Sequence, residues 1–405
     1  AYQGYGAPKG SFALQTALAE LAAELGMDQL ELIERNRVRS GARLEILKSL
    51  GEGRAGQAVT LGECGLGEMI ARGRAAFAWG GPRPESGDPD WRIGRGAVII
   101  QQGSGLPGLD AANAELRLLA DGTLLLLSGG ADLGTGLDTV TAKMAAEVLG
   151  LDLEDVAVTS GDTDLTPFDK GAYASSGTYF SGNAALKAAE DLRDKVLRAA
   201  SELLGEPVAD IAIAHRGIVK GRRGQVTLAQ LGHASTQGEG RGDLVGFGTF
   251  KTDHAAFPYG AHFVEAAVNV RTGDVKVRRY HAYQDCGTPI NPELARGQIY
   301  GAALKAIGHS LYEEMVYDAA GRCVNPSFLD YKVPGAFEVP EDFRVELVPV
   351  ADELGPFGAK SVSEISVNGA APAIAIAIHD ATGAWVREWP FTPERVLRAM
   401  GKLGD

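Results

Sequence analysis

Leu14, Leu18, Leu21, Ala22 and Leu25 recur at helical spacing and Gly26 follows as a stop, which predicts an amphipathic helix ending before residue 26. A second short helix is expected over Gln29 to Asn36. The run 81–94, rich in Pro, Gly and Asp, reads as a loop or boundary. Beyond it, Ala114–Ala120 and Thr123–Ser128 predict two strands turning at Asp121-Gly122. Val140, Met144 and Val148 share a helical stripe, and Val156–Thr159 reads as a strand. The longest amphipathic helix is expected from about Ser181, with Ala185, Ala189, Leu192, Val196, Ala200 and Leu203 facing one way. Residues 205–258 show no clear period. Phe263–Val270 and Val275–Tyr283 predict a hairpin over Thr272-Gly273-Asp274, and a long helix follows from about Glu293 to Glu314. No internal repeat is visible. This order of helices and hairpins predicts an α+β fold with mainly antiparallel sheets and packed helices.

One stretch breaks the pattern. From Ile365 to Ile378 the only side chains with polar atoms are Ser366 and Asn368, so a helix buried on every face is expected, with Pro372 tolerated in its first turn. Glu364 stands at its mouth, after Gly358-Ala359-Lys360-Ser361-Val362-Ser363. A carboxylate in apolar surroundings is costly unless paired, and such surroundings suit a general base. The same residue also fits a helix cap held by the N-terminal dipole, and the residues alone weigh both readings equally.

Composition narrows the class. The 405 residues, 45% hydrophobic and 22% charged, allow two domains or one large one. A net charge of -13 argues against nucleic acid and anionic membrane surfaces. No apolar run is long enough to span a membrane, and no secretory signal opens the chain. Cys64, Cys286 and Cys323 lie far apart, which suggests a reducing, cytoplasmic setting and excludes a four-cysteine iron–sulfur site within the chain. A start at Ala1, inside a glycine-rich motif, suggests a cut piece or processed subunit.

Glycine is the outlier, with 54 residues in clusters. Gly129-Gly130-Ala131-Asp132-Leu133-Gly134-Thr135-Gly136 lies between a strand and a helix, where backbone N–H groups and a helix N-terminus suit an anion. It matches neither dinucleotide nor Walker patterns. Gly171-Ala172-Tyr173-Ala174-Ser175-Ser176-Gly177-Thr178 precedes the longest helix and adds hydroxyl donors. Gly4-Tyr5-Gly6-Ala7-Pro8 sets an aromatic ring between glycines. Each alone is ordinary turn chemistry, but together they point to a shared anionic ligand.

These motifs together resemble the C-terminal half of the molybdenum-binding subunit of the xanthine dehydrogenase/aldehyde oxidoreductase family. Gly4 to Pro8 resembles that family's G-F-G-x-P motif, and Gly130 to Gly136 its loop ending in G-Q-G. Ala174-Ser175-Ser176, with Ser181-Gly182-Asn183-Ala184 behind it, resembles the second cofactor loop. Asp285-Cys286-Gly287, Asn291-Pro292 and Gly297-Gln298-Ile299-Tyr300-Gly301 follow in family order, and Gly358 to Glu364 falls on the segment with the catalytic glutamate. The resemblance runs from residue 1 to about 380. It implies that residues 1–90 are the tail of a first molybdopterin-binding domain and 91–405 a second one.

The resemblance also implies chemistry. Glu364 becomes the base that activates the attacking oxygen in a water-derived hydroxylation, with molybdopterin, as such or as its cytosine dinucleotide, as cofactor. Gly130, Gly134, Thr135, Gly136, Ala174, Ser175, Ser176, Gly177, Thr178, Lys305, Lys360, Ser361, Val362 and Ser363 fall on cofactor-binding positions, and Tyr5, Gln3, Ser104 and Gly105 on substrate-binding ones. No protein side chain is implied as a metal ligand. Thr135 replaces the glutamine of G-Q-G, Gln3 an arginine, and Lys305 a frequent glutamine. Small residues at Gly103-Ser104-Gly105 replace a ring-stacking phenylalanine, implying a wider pocket. A purine or nicotinate-like substrate is expected, with an aldehyde oxidoreductase or a non-catalytic interaction subunit as the other readings. The other molybdopterin-binding half, a 2Fe-2S subunit and an FAD subunit are the implied partners.

Overall fold

A computed structural model describes residues 3–49, 55–237 and 242–403. The chain opens with helix α1 (Ala7–Glu24) and helix α2 (Gln29–Asn36), the latter capped by Asp28, whose Oδ1 accepts the Glu31 N–H at 3.1 Å. Short strands β1 (Arg43–Leu44) and β2 (Val59–Thr60) pair, and helix α3 (Leu66–Ala76) follows. Strand β3 (Trp91–Gln101) begins inside the expected loop 81–94. The hairpin of β4 (Ala112–Leu118) and β5 (Leu124–Ser128) turns at Asp121-Gly122, where the Asp121 carboxylate accepts the Thr123 N–H.

Helix α4 (Leu137–Leu149), strand β6 (Val156–Ser160) and the 28-residue helix α5 (Gly177–Leu204) come next. The unpatterned region folds as a small sheet of β7 (Ala212–Ala214), β8 (Ile218–Lys220) and β9 (Gln225–Thr227), helix α6 (Leu228–Gln237) and strand β10 (Val245–Phe250). The long hairpin of β11 (Tyr259–Asn269) and β12 (Val275–Gln284) leads to helix α7 (Pro292–Leu311), strand β13 (Asp342–Leu347), and helices α8 (Ala370–Thr382) and α9 (Pro393–Ala399).

Two four-stranded sheets organise the protein, in the orders β10-β4-β5-β6 and β13-β12-β11-β3. Their pairings are antiparallel except β5–β6 and β12–β13. The architecture is therefore α+β, as the order of elements predicts. α4 and α5 cover the first sheet, burying Ala184, Ala188, Leu192 and Val196 against it.

The second sheet is sandwiched, and side-chain alternation explains how. Val98, Ile100, Val264, Ala266 and Ala282 face α8, α7 and α1, while Ala97, Ala261, Phe263 and Tyr283 face α2 and α3. These two cores join residues from both sides of position 90.

Helix α8 is buried at every position from Ala370 to Ile378, as its apolar sequence predicts. It can lie so close to β3 because Gly96 has no side chain: a Cβ there would sit 2.0 Å from the Ala373 carbonyl. α1 departs from its leucine pattern. Its small face, with Ala19 and Ala22, is the buried one, and Leu14, Leu21 and Leu25 are exposed. Alanines allow closer helix approach than leucines, so the small face wins the contact with α8. Among the described residues no helix is long and apolar enough to cross a membrane.

Candidate active site

Glu364 lies where three distant loops meet. Its Oε1 accepts the Gly4 N–H at 2.9 Å, and its Oε2 accepts the Ser175 hydroxyl at 3.2 Å. The Ser175 Oγ in turn accepts the Glu364 N–H at 3.0 Å. Glu364 stands at the N-terminus of the short 3-10 turn Ile365–Asn368 and makes no capping hydrogen bond to it.

The supporting loops are built for this contact. Ala174 and Ser175 hold left-handed φ angles of 44° and 57°, which cost non-glycine residues about 1–2 kcal/mol each. Such strain persists only where surroundings enforce it, and it concentrates at functional sites. The Gly105 N–H fixes the strained pair by donating to the Ala174 carbonyl at 2.9 Å. Ser104 completes the tie: its Oγ lies 3.0 Å from the Ser361 Oγ and accepts the Ser361 N–H at 3.0 Å. Directly after Ser175 comes the N-terminus of α5, whose first-turn N–H groups, at Gly177 and Thr178, have no intrahelical acceptor.

Several expected roles change in the structure. Ser104 and Gly105 are buried, and a Cβ on Gly105 would meet the Phe180 ring at 2.4 Å and Asp110 at 2.8 Å. Their small size therefore serves tight packing; the space is filled by Phe180 and Asp110. The Gln3 amide donates to the Ser363 carbonyl at 2.5 Å, so it braces the Glu364 segment. Tyr5 is 83% exposed, free to meet a flat molecule or a further chain.

The segment 360–363 is largely occupied in holding itself. Lys360 turns inward to a buried ion pair with Asp285, Nζ to Oδ2 2.7 Å. The Ser361 hydroxyl donates to the Gly103 carbonyl at 3.0 Å, the Val362 carbonyl accepts from Gln284 at 3.1 Å, and the Ser363 hydroxyl donates to Gln298 Oε1 at 3.2 Å. Lys305 is half-buried on α7. Burial pushes its pKa down, and the carboxylates of Glu313 and Glu364 act against that shift.

The loop before α4 is likewise held by contacts within the chain. The N–H groups of Gly134, Thr135 and Gly136 all donate to Asp132 Oδ1, at 2.9, 3.0 and 3.1 Å. The side chain of Asp132 thus fills the anion cradle expected for a cofactor phosphate. The loop adjoins the site through Gly130, where a Cβ would meet the Ser181 Oγ of α5 at 2.8 Å. Ser176 likewise donates its hydroxyl within the chain, to the Gly171 carbonyl at 3.0 Å.

Sequence reasoning missed Asp132, although an Asp two residues before a glycine is a recognisable Asx-turn signal. It also missed His254, Asp352 and Tyr179. His254 Nε2 lies 3.1 Å from Asp352 Oδ2, and the Tyr179 hydroxyl donates to Asp352 Oδ1 at 2.8 Å. Nothing local in the sequence links residues 98 and 173 positions from Asp352. Two surface hollows, of about 330 Å³ beside Asp121 and Arg216 and about 400 Å³ beside Lys195 and Arg198, contain none of these site residues.

The chain also resembles known proteins. Residues 73–340 match the family described as molybdopterin cofactor-binding domain. The chain is 56% identical to the probable hypoxanthine oxidase XdhD of Escherichia coli, over 100% of its own length and 42% of that protein's. It is 32% identical to the xanthine dehydrogenase molybdenum-binding subunit of Escherichia coli O157:H7, over 100% of its length and 54% of the other. The chain spans about half the length of these relatives. The crystal structure of quinoline 2-oxidoreductase from Pseudomonas putida 86 superposes with a TM-score of 0.87 at 27% identity, covering 99% of this chain and 53% of that one. A matched cofactor domain and relatives matched along the whole chain place this protein in the xanthine dehydrogenase/aldehyde oxidoreductase family, as part of its molybdopterin-binding subunit.

Proposed function

We propose that this chain carries the proton-accepting glutamate of a molybdenum hydroxylase that oxidises an N-heteroaromatic compound, a purine before a nicotinate-like ring. The observation that carries the reading is Glu364, held by Gly4 and Ser175 beside the N-terminus of a 28-residue helix.

The residues fit molybdopterin at one loop better than the other. The open first turn of α5, with the Thr178 hydroxyl and the N–H groups of Gly177 and Thr178, suits a phosphate. At the α4 loop the backbone donors are taken by Asp132, which leaves the Thr135 side chain as the group to meet the cofactor. When bound, the cofactor supplies two-electron oxidation with oxygen taken from water. The chain's own part is to accept the proton. Each Glu364 oxygen accepts one hydrogen bond and keeps lone-pair capacity for a proton. Gln3 and Ser361 hold the segment still, so the carboxylate meets its target without rearrangement.

The purine preference rests on the name of the 56%-identical relative and on Tyr5, whose exposed ring offers a face for a flat heterocycle. The rest of the subunit, with 2Fe-2S and FAD partners in the cytoplasm, completes the electron path in this reading.

The test uses the complete enzyme purified natively. Stoichiometric molybdenum is expected, since an interaction subunit without catalysis would hold none. Glu364→Gln keeps shape but accepts no proton, so molybdenum content persists while turnover drops by roughly 10²- to 10⁴-fold. Assays with hypoxanthine, xanthine, nicotinate and benzaldehyde then rank substrates. A clear preference for benzaldehyde overturns the heterocycle, and an active Glu364→Gln enzyme overturns the base.

A further inference from the structure

We propose that Ser175 is a positioning residue for Glu364, a different task from the cofactor contact that its place in the second glycine-rich loop suggests. The inference rests on Glu364 being the proton acceptor. The Glu364 N–H donates to the Ser175 Oγ at 3.0 Å, and the same hydroxyl donates to Glu364 Oε2 at 3.2 Å. A serine hydroxyl has one hydrogen and two lone pairs, so this closed circuit uses its single proton. The Ser175 proton therefore points at the carboxylate and not at a cofactor oxygen. The circuit ties the side chain of Glu364 to its own main chain, and the Gly4 N–H pins the other oxygen at 2.9 Å.

The backbone adopts an uncommon shape to make this contact. Ser175 takes φ 57° behind Ala174 at φ 44°, and the Ala174 carbonyl is clamped by the Gly105 N–H. Such a conformation persists only where its surroundings enforce it, and here it presents the hydroxyl to Glu364. The hydroxyl thereby orients the base.

The experiment compares Ser175→Ala and Ser175→Gly in the complete enzyme. Glycine removes the hydroxyl and also relieves the left-handed backbone, so agreement between the two assigns the effect to the hydroxyl. In both, molybdenum content and KM stay near wild type and kcat falls roughly 10- to 100-fold. Hydrogen exchange of the peptide spanning 361–366 speeds up, because the Glu364 N–H loses its acceptor. A wild-type kcat in either variant overturns the proposal. So does a rise in KM with an unchanged kcat, which marks a substrate contact, or loss of molybdenum from both, which marks a cofactor contact. Glu364→Gln run alongside separates the two levels: if it is active, the base assignment itself falls. If it is inactive while both Ser175 variants behave as wild type, only the role of Ser175 falls.

Discussion

Lys360 and Asp285 form an ion pair with Nζ 2.7 Å from Oδ2, both side chains nearly sealed from water. Asp285 also accepts the N–H groups of Gly287 at 2.7 Å and Val350 at 3.1 Å through Oδ1. One carboxylate thus joins the end of β12, the loop after β13 and the strand-like segment leading to Glu364. The lysine four residues before Glu364 is part of the foundation of that segment.

Removing one partner of a buried pair leaves an uncompensated charge. Lys360→Met is expected to destabilise the protein by about 3–5 kcal/mol, read by denaturant unfolding of the complete subunit. Adding Asp285→Leu does not restore full stability, since the N–H groups of Gly287 and Val350 then lack their acceptor. A single variant as stable as wild type removes the pair from this role.

His254 and Asp352 give a pH dependence with a definite sign. The hydrogen bond to Asp352 raises the His254 pKa and outweighs its burial. Burial pushes the Asp352 carboxyl up, but hydrogen bonds from His254 and Tyr179 outweigh it and hold it below its ordinary range. The histidine's contribution is therefore full below its unfolded value of 6.5 and fades as pH rises through the raised folded value. The aspartate's is present above its unfolded value of 3.8 and is lost as pH falls through the lowered one. The Tm gap between wild type and His254→Gln is expected to be widest between the two unfolded values, 3.8 and 6.5, and to narrow as pH rises above 6.5. A gap that stays constant up to pH 9 contradicts the pairing.

Asp132 allows a direct check of the α4 loop. Asp132→Ala strips the acceptor from Gly134, Thr135 and Gly136 and should cost about 1–2 kcal/mol, while Asp132→Asn keeps one oxygen acceptor and stays closer to wild type. Molybdenum occupancy should fall in the alanine variant as the loop loosens. A rise instead would show that the carboxylate competes with the cofactor for those N–H groups.

Two glycines separate strain from space. Gly134 has φ 85° with nothing within 4 Å of a Cβ, so Gly134→Ala should cost about 1–2 kcal/mol from its backbone alone. Gly105 has φ 80° and a Cβ would also strike Phe180, so Gly105→Ala should cost more, above about 3 kcal/mol, and empty the site of molybdenum. Equal costs measured by thermal unfolding would mean that the Phe180 contact relaxes freely.

Local chemistry is legible in the sequence itself. The span of α2, the two hairpins with their Asp-Gly and Thr-Gly-Asp turns, and the full burial of α8 all follow from periodicity, turn residues and apolar runs. Glu364 stood out because a charge at the mouth of an apolar helix needs a reason. Its partners were not readable, because Gly4 and Ser175 lie 360 and 189 positions away. The same distance effect hid the inward turn of Lys360 toward Asp285, 75 positions earlier. Nor does helical spacing say which face of α1 is covered: leucines 14, 21 and 25 mark a face, but the small side chains fit α8 and the leucines stay in water. Spacing along a chain sets which side chains share a surface. What that surface meets, and whether a carboxylate there is capped, paired or held ready, depends on segments that only folding brings within hydrogen-bond reach.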